Sequence, residues 1–273
     1  MKKQATVATP LIPVHIVQKE LLQPYNPIAV NLIGAGGTGS QMLTALARMS
    51  QALNGLNHPG FMVTLFDDDT VQAPNLARQL FTTGELGQFK SVALINRVNR
   101  FFGLNWKAVT ERYDKDYCSI AKGMAPLTIS CVDTVKARFE IADILDIYKK
   151  NTAGHRDKPL YWMDFGNSKE TGQVLLSTIG DIKQPSSKQF SPTANLPYVT
   201  DEYKDLLIAS EQTDNTPSCS LAEALAKQDL FINSALANLG ASLLWQMFRE
   251  GILYHKGFFL NLKEFRTQPL KIA

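Results

Sequence analysis

The stretch I-A-V-N-L-I-G-A-G-G-T-G-S, Ile28–Ser40, is the part of the chain from which the rest is best read. Ile28, Val30, Leu32 and Ile33 make a short apolar run, and the glycines Gly34, Gly36, Gly37 and Gly39 follow it. Gln41–Ser50, Q-M-L-T-A-L-A-R-M-S, then reads as a helix. Strand, glycine-rich turn and helix together bring backbone N–H groups up to a phosphate at a helix N-terminus. One glycine permits the tight turn, one lets the backbone approach the ligand, and one lets helix and strand pack closely. The G-x-G-x-x-G spacing is a weak signal on its own, because a nucleotide site and a mere tight turn in an α/β core both produce it.

Outward from this stretch, Phe61–Phe66 reads as a second strand ending in Asp67, Asp68 and Asp69. An acidic residue at that place in a dinucleotide fold holds a ribose hydroxyl, while a turn-forming acidic cluster is the competing reading. The separation from Gly39 is longer than the usual spacing, and the breaker-rich loop Asn54–Gly60 accounts for the excess. His58 in that loop reads as a solvated residue. In Val71–Leu80, V-Q-A-P-N-L-A-R-Q-L, Pro74 rules out a long helix, and Asn75, Arg78 and Gln79 can converge on one side of a single turn. Lys90 precedes a helix from Ser91 to about Phe101, where a cation gains nothing from the helix dipole. It is either a surface group or one facing a bound anion.

Trp106–Arg112, Leu127–Cys131 and Leu160–Phe165 read as further strands, and Thr171–Ile179 as a strand returning antiparallel. Asp133 stands just past the C-terminal end of one of them, where open parallel sheets bind ligands. The run after it is an amphipathic helix with Val135, Phe139, Ala142 and Leu145 toward the sheet. Val14–Val17, set among prolines, reads as a short edge strand. Asp181–Ser218 carries four prolines and reads as a long irregular excursion of the kind used for lids and binding loops. Ser220–Phe248 is helical, with Leu221, Leu225, Ile232, Leu236, Leu239 and Leu243 inward and Asp229 as a point of interruption. Ile252–Leu262 reads as a hairpin turning at Lys256–Gly257, with His255 beside the turn. The fold class is therefore α/β: a Rossmann-like, mostly parallel sheet with helices on both faces and an antiparallel C-terminal extension.

The chain has 273 residues, 45% of them hydrophobic, which suffices for one large α/β domain or two small ones. The formal charge of +3 comes from dispersed Lys and Arg, so nucleic acid is not the expected partner. Cys118, Cys131 and Cys219 are neither a disulfide framework nor a four-cysteine zinc site. Cys131 lies in an apolar strand and reads as core, and Cys118 sits in a polar connection. No signal-peptide core or membrane-length apolar run is present, which sets the expectation of a soluble, cytoplasmic protein. The polar groups at the strand ends supply phosphate donors and carboxylates for ribose or Mg²⁺, with no catalytic histidine. That suits nucleotidyl or phosphoryl chemistry better than hydride transfer.

The ordered series G-A-G-G-T-G-S, D-D-D-T-V-x-x-x-N-L-A-R-Q, G-x-x-K and C-V-D-T resembles the ThiF/MoeB/E1-like superfamily of ubiquitin-like-protein activating enzymes. Within it the chain looks most like the ThiF-related proteins of the plasmid-type PRTRC cassette. The resemblance covers residues 28–180. It implies an adenylyltransferase that uses Mg-ATP to activate the C-terminal carboxylate of a ubiquitin-like, β-grasp protein. On that basis residues 1–27 are an N-terminal extension, 28–180 the ATP-binding core, 181–218 an excursion over the site, and 219–273 the helices and hairpin completing the same domain.

By the same resemblance, Gly34, Gly36, Gly37 and Gly39 shape the ATP-binding turn, Asp67 holds the ribose, and Asp69 matches the second acidic position of that segment. Asn75 and Arg78 contact the phosphates, Gln79 supports the loop, and Lys90 neutralises phosphate charge. Asp133 coordinates Mg²⁺ or orients the tail and the adenylate. Relatives are usually homodimers and commonly place an N-terminal arginine in the partner's site, whereas the first arginine here is Arg48. The paired C-x-x-C motifs are missing, so no structural zinc is expected. Cys219, just before a helical run, is the positional candidate for a thioester-forming or sulfur-transferring nucleophile; a small buried residue at a helix start is the alternative. Two other classes remain: a non-catalytic member that binds nucleotide or the ubiquitin-like partner, and an NAD(P)-dependent oxidoreductase, which would leave Asn75–Gln79 and Lys90 idle.

Overall fold

The computed structural model describes residues 11–152, 154–210, 223 and 227–273. β1 (Ile12–Ile16) and the one-turn α1 (Lys19–Leu22) lead into β2 (Ile28–Ile33), the apolar run that precedes the glycines. α2 (Gly37–Asn54), β3 (Phe61–Phe66), α3 (Lys90–Phe102) and β4 (Lys107–Val109) complete the first half of the domain. A short α4 (Ile120–Gly123), β5 (Leu127–Ser130), α5 (Val135–Asn151) and β6 (Tyr161–Asn167) follow. The chain then runs through β7 (Thr171–Thr178), β8 (Phe190–Pro192), α6 (Val199–Glu202) and α7 (Lys204–Ser210). It finishes with α8 (Ile232–Glu250), β9 (Ile252–Leu253), β10 (His255–Asn261) and β11 (Arg266–Lys271).

The main sheet has the order β11-β10-β7-β6-β5-β2-β3-β4. β6, β5, β2, β3 and β4 are mutually parallel, and β7, β10 and β11 add antiparallel neighbours on the β6 side. Chain order reverses between β2 and β5, and at such a switch point the loops diverge and leave a crevice beyond the strand ends. Alternate residues of the parallel strands feed two cores. Val30, Leu32, Val63 and Leu65 meet α2, α3 and α8 through Leu43, Leu46, Leu94, Leu236 and Leu244. Ile33, Phe66 and Trp162 meet α5 and the segment around α6 through Ile141, Leu145 and Tyr198. Burial on both faces explains why these strands read as apolar runs.

Some expectations require correction. Val14–Val17 was expected at an edge, yet β1 is the middle strand of a second, three-stranded sheet, between β8 and β9. His15 is buried there, bonded through Nδ1 to the Thr193 carbonyl (2.8 Å) and through Nε2 to the Tyr161 hydroxyl (2.8 Å). His58 is buried rather than solvated: Nδ1 accepts from the Gly60 N–H (3.0 Å) and Nε2 meets the Leu21 carbonyl (2.9 Å). Leu239 faces outward from α8. Lys256–Gly257 lie within β10, and the hairpin turns at 262–265 instead. The described part of the 181–218 excursion is packed on the sheet. Tyr198 stacks edge-on against Trp162, and Lys256 Nζ donates to both Glu202 oxygens at 2.7 Å.

Candidate functional site

The crevice beyond β2 and β5 is a cleft of ≈ 370 Å³. Its floor is the glycine turn. Gly34 has φ +93°, and a Cβ there would stand 2.6 Å from the Cys131 carbonyl oxygen, so this close approach of two strand ends requires glycine. A Cβ at Gly39 would collide with the Gly34 carbonyl, so the first turn of α2 can settle on the loop only with glycine there. A Cβ at Gly36 would meet nothing within 4 Å, so the backbone at Gly36 is open to a ligand. Gly34, Gly36 and Gly37 line the cleft, and Gly39 supports them from beneath.

The β3 side carries the acidic cluster. Asp67 Oδ2 accepts from the Ala35 N–H (2.6 Å) and Oδ1 from the Asp69 N–H (3.0 Å), which ties β3 to the glycine turn. Burial pushes the Asp67 carboxyl up to about 6, against the pull of the Ala35 N–H and the Lys90 charge. Lys90 is only 7% exposed, and its Nζ donates to Asp69 Oδ2 at 2.7 Å. The lysine that looked misplaced at a helix start thus already faces an anion. Arg78 and Gln79 also line the cleft, but Asn75 does not: its Oδ1 accepts from the Gln72 N–H (2.8 Å) and closes a one-turn helix.

Arg78 donates from Nη1 to Gln228 Oε1 (2.7 Å), while its Nε is buried with no partner among the described residues. Burial lowers the pKa of the guanidinium. Gln79 is 7% exposed, and its Oε1 likewise has no partner among the described residues. Buried unpaired polar atoms are costly and rare, and two of them lie in residues of this cleft wall.

The β5–β6 side is built on Arg138, a residue not singled out from the sequence. It is 4% exposed and ion-paired through Nε to Asp164 Oδ2 (3.1 Å). Its Nη2 donates to the carbonyls of Val132 and Phe165, both at 2.8 Å. Asp164 Oδ1 accepts from Ser130 Oγ (2.6 Å), which in turn accepts from Trp162 Nε1 (2.7 Å). This network fixes the loop that presents Asp133, which is exposed on the cleft wall. A signal was available: position 138 falls on the inward stripe of α5, so an arginine there demands a buried anion, and Asp164 stands in a buried strand.

Asn167, Gln228 and Asn233 were also missed. Asn233, in the first turn of α8, accepts at Oδ1 from Thr38 Oγ1 (2.9 Å) and Asn167 Nδ2 (3.2 Å) and donates from Nδ2 to Gln228 Oε1 (3.0 Å). Nothing local in the sequence marks contacts across 195 positions. Cys131 lines the cleft rather than lying wholly in the core, and burial raises its thiol pKa far out of the reactive range. Cys118 has neighbours in Tyr148 and Asp114, and burial pushes its thiol up to about 12. Cys219 lies outside the described residues.

Among the described residues no group of three or more His, Cys, Asp or Glu stands ready as a metal cage. The donor set fits Mg²⁺ bound together with a nucleotide, since that ion keeps its waters and takes one or two carboxylates plus phosphate oxygens. Asp133 and the Asp67–Asp69 cluster line the same cleft and supply such carboxylates.

Comparison with known proteins bears on the same features. No curated protein gives a significant match. Among solved structures, selenomethionine PaaA superposes with a TM-score of 0.60 at 16% identity, over 93% of this chain and 75% of that one. E. coli MccB crystallised with ATP superposes at 0.55 and 14% identity, over 93% of this chain and 66% of that one. E. coli MccB with selenomethionine MccA gives 0.57 at 14%, with the same coverage. This chain thus spans three quarters of PaaA and about two thirds of MccB, and at these identities the likeness establishes the fold. The ThiF family profile matches residues 9–269, nearly the whole length and including every wall of the cleft described above. The chain belongs to the ThiF family.

Proposed function

We propose that the protein is an ATP-dependent adenylyltransferase that activates the C-terminal carboxylate of a ubiquitin-like, β-grasp protein. The observation that carries this reading is the cleft itself, where the open backbone at Gly36, the cations Arg78 and Lys90 and the carboxylates Asp67 and Asp133 line one cavity. MccB has been crystallised with ATP and with MccA, which supports an ATP site with a separate acyl substrate here.

In this reading Asp67 accepts hydrogen bonds from the ribose hydroxyls, and the N–H groups at the start of α2 face the phosphates. An oxygen of the tail carboxylate forms a bond to the α-phosphorus. The bond from that phosphorus to the bridging oxygen breaks, and pyrophosphate leaves with the electron pair. No general base is required, because the nucleophile is already ionised. Arg78 and Lys90 stabilise the added negative charge of the transition state, Lys90 by exchanging Asp69 for phosphate. Asp133 holds Mg²⁺ or orients the tail; the ion supplies charge neutralisation on the phosphates. The protein is a homodimer in this reading, and the PRTRC resemblance points to a ubiquitin-like product of the same cassette as substrate. Cys219 is the candidate acceptor of the activated acyl group.

A second reading, a nucleotide-responsive binding module, is favoured by one observation: two of the cleft cations already have protein partners, Lys90 in Asp69 and Arg78 in Gln228. ATP–pyrophosphate exchange with and without the ubiquitin-like protein separates the two. Exchange that requires the partner's intact C-terminus, and that falls by about 100-fold or more in Arg78→Ala and Asp133→Ala, is the expected result. Binding of ATP and partner without exchange would leave only the binding module.

A further inference from the structure

We infer that Gln228 is a stand-in for a phosphate oxygen: its side-chain carbonyl occupies the seat on Arg78 that the nucleotide takes, and Asn233 holds it there. The inference rests on the nucleotide-binding reading above and adds a positioning pair from the C-terminal part of the chain. Gln228 Oε1 accepts from two donors, Arg78 Nη1 at 2.7 Å and Asn233 Nδ2 at 3.0 Å. Asn233 is 3% exposed, and its amide cannot turn round, because Oδ1 is claimed by Thr38 and Asn167. A carbonyl oxygen is thereby presented to Arg78 by a node that also grips the first turn of α2 and the end of β6.

The arrangement has a chemical rationale. Asp67, Asp68, Asp69 and Asp133 line the same cleft, and a free guanidinium would fold onto one of them and form an ion pair that a phosphate must then break. A neutral amide oxygen gives one of the arginine's N–H groups a partner without that cost. Hydrogen bonds from guanidinium to an ionised oxygen are roughly twice as strong as those to a neutral one, so a phosphate displaces the amide readily. Gln228 is half-buried and contributes to no apolar core, so its variants should unfold near the temperature of the unmodified protein.

The test is ATP affinity by calorimetry on the full chain, with thermal unfolding followed in parallel. Gln228→Glu keeps the shape and makes the seat anionic; the dissociation constant for ATP should rise about tenfold. Gln228→Met removes the acceptor at similar size, and affinity should hold or tighten. In an Arg78→Ala background, read by NMR line broadening at high ATP, the Gln228→Glu change should have no further effect. Unchanged affinity in Gln228→Glu, or weakened affinity in Gln228→Met, would overturn the inference. So would an effect of Gln228→Glu that persists without Arg78. If the Arg78→Ala background binds no ATP, the other two variants decide it. If the unmodified protein binds no ATP, the nucleotide reading itself falls, and the inference with it.

Discussion

Arg138 and Arg78 stand on opposite sides of the cleft, and the protein treats them in opposite ways. Arg138, under the β5–β6 wall, donates to Asp164 and to the carbonyls of Val132, Phe165 and Thr134. Among the described residues Arg78, on the β3 wall, has one neutral acceptor and a buried unpaired Nε. An arginine whose donors are claimed by its own chain can only hold structure in place. One left short of acceptors has donors to offer a ligand. The lesson is that satisfaction, more than burial or sequence position, separates scaffold from site.

That contrast is most directly broken at Arg138. Arg138→Ala should cost about 3–5 kcal/mol in denaturant unfolding, because it strands the 1%-exposed Asp164 carboxylate. Arg78→Ala should leave the unfolding midpoint nearly unchanged while abolishing exchange; equal destabilisation by the two would erase the distinction. The next effect is a pH dependence. Burial has raised Asp67 to about 6, so the proton is held more tightly in the fold than in the unfolded chain, and folding stability from this group declines as pH rises from the ordinary carboxylate range to 6. Nucleotide binding runs the other way, since the ribose needs the ionised form. ATP affinity should fall by about tenfold per unit below pH 6, and Asp67→Asn should flatten that profile when titrated by calorimetry. Smallest of all is Lys115→Ala. Lys115 and Asp143 meet at 2.7 Å, as close as Lys90 and Asp69, but on an open surface. No change in melting temperature is expected, which would show that distance alone does not make an ion pair matter.

The parts of this molecule that were legible in the sequence are those whose cause is local. Ile28–Ile33 and Phe61–Phe66 have the observed strand bounds, because an apolar run ending in glycine or aspartate carries its own punctuation. The glycine turn, Asp67, Arg78, Gln79, Lys90 and Asp133 all reach the cleft because each follows the end of a parallel strand or opens a helix beside it. Gln228 and Asn233 were invisible, since their partners are far away in the chain and their residue types are ordinary. Gly257 misled for a physical reason. A Cβ there would collide with the Val174 carbonyl, so this glycine serves the close approach of β7 within a strand, whereas the true turn ends in Phe265 with φ +49°. His58 misled because a breaker-rich loop can still cap a core: its ring lies edge-on to Phe248 at 5.7 Å.

The small sheet has a consequence for the order in which the chain can assemble. β1 lies between β8 and β9, so residues 12–16 bond to residues 190–192 on one side and 252–253 on the other. During synthesis β1 leaves the ribosome well before its partners, and it must wait for residues 252–253 before both its edges are filled. Such long loops make closure slow relative to local pairing, and the parallel strands β2 and β3 can meet far sooner. A nascent chain halted before residue 252 would present β1 with an open edge, a natural handle for chaperones and a hazard for misassembly.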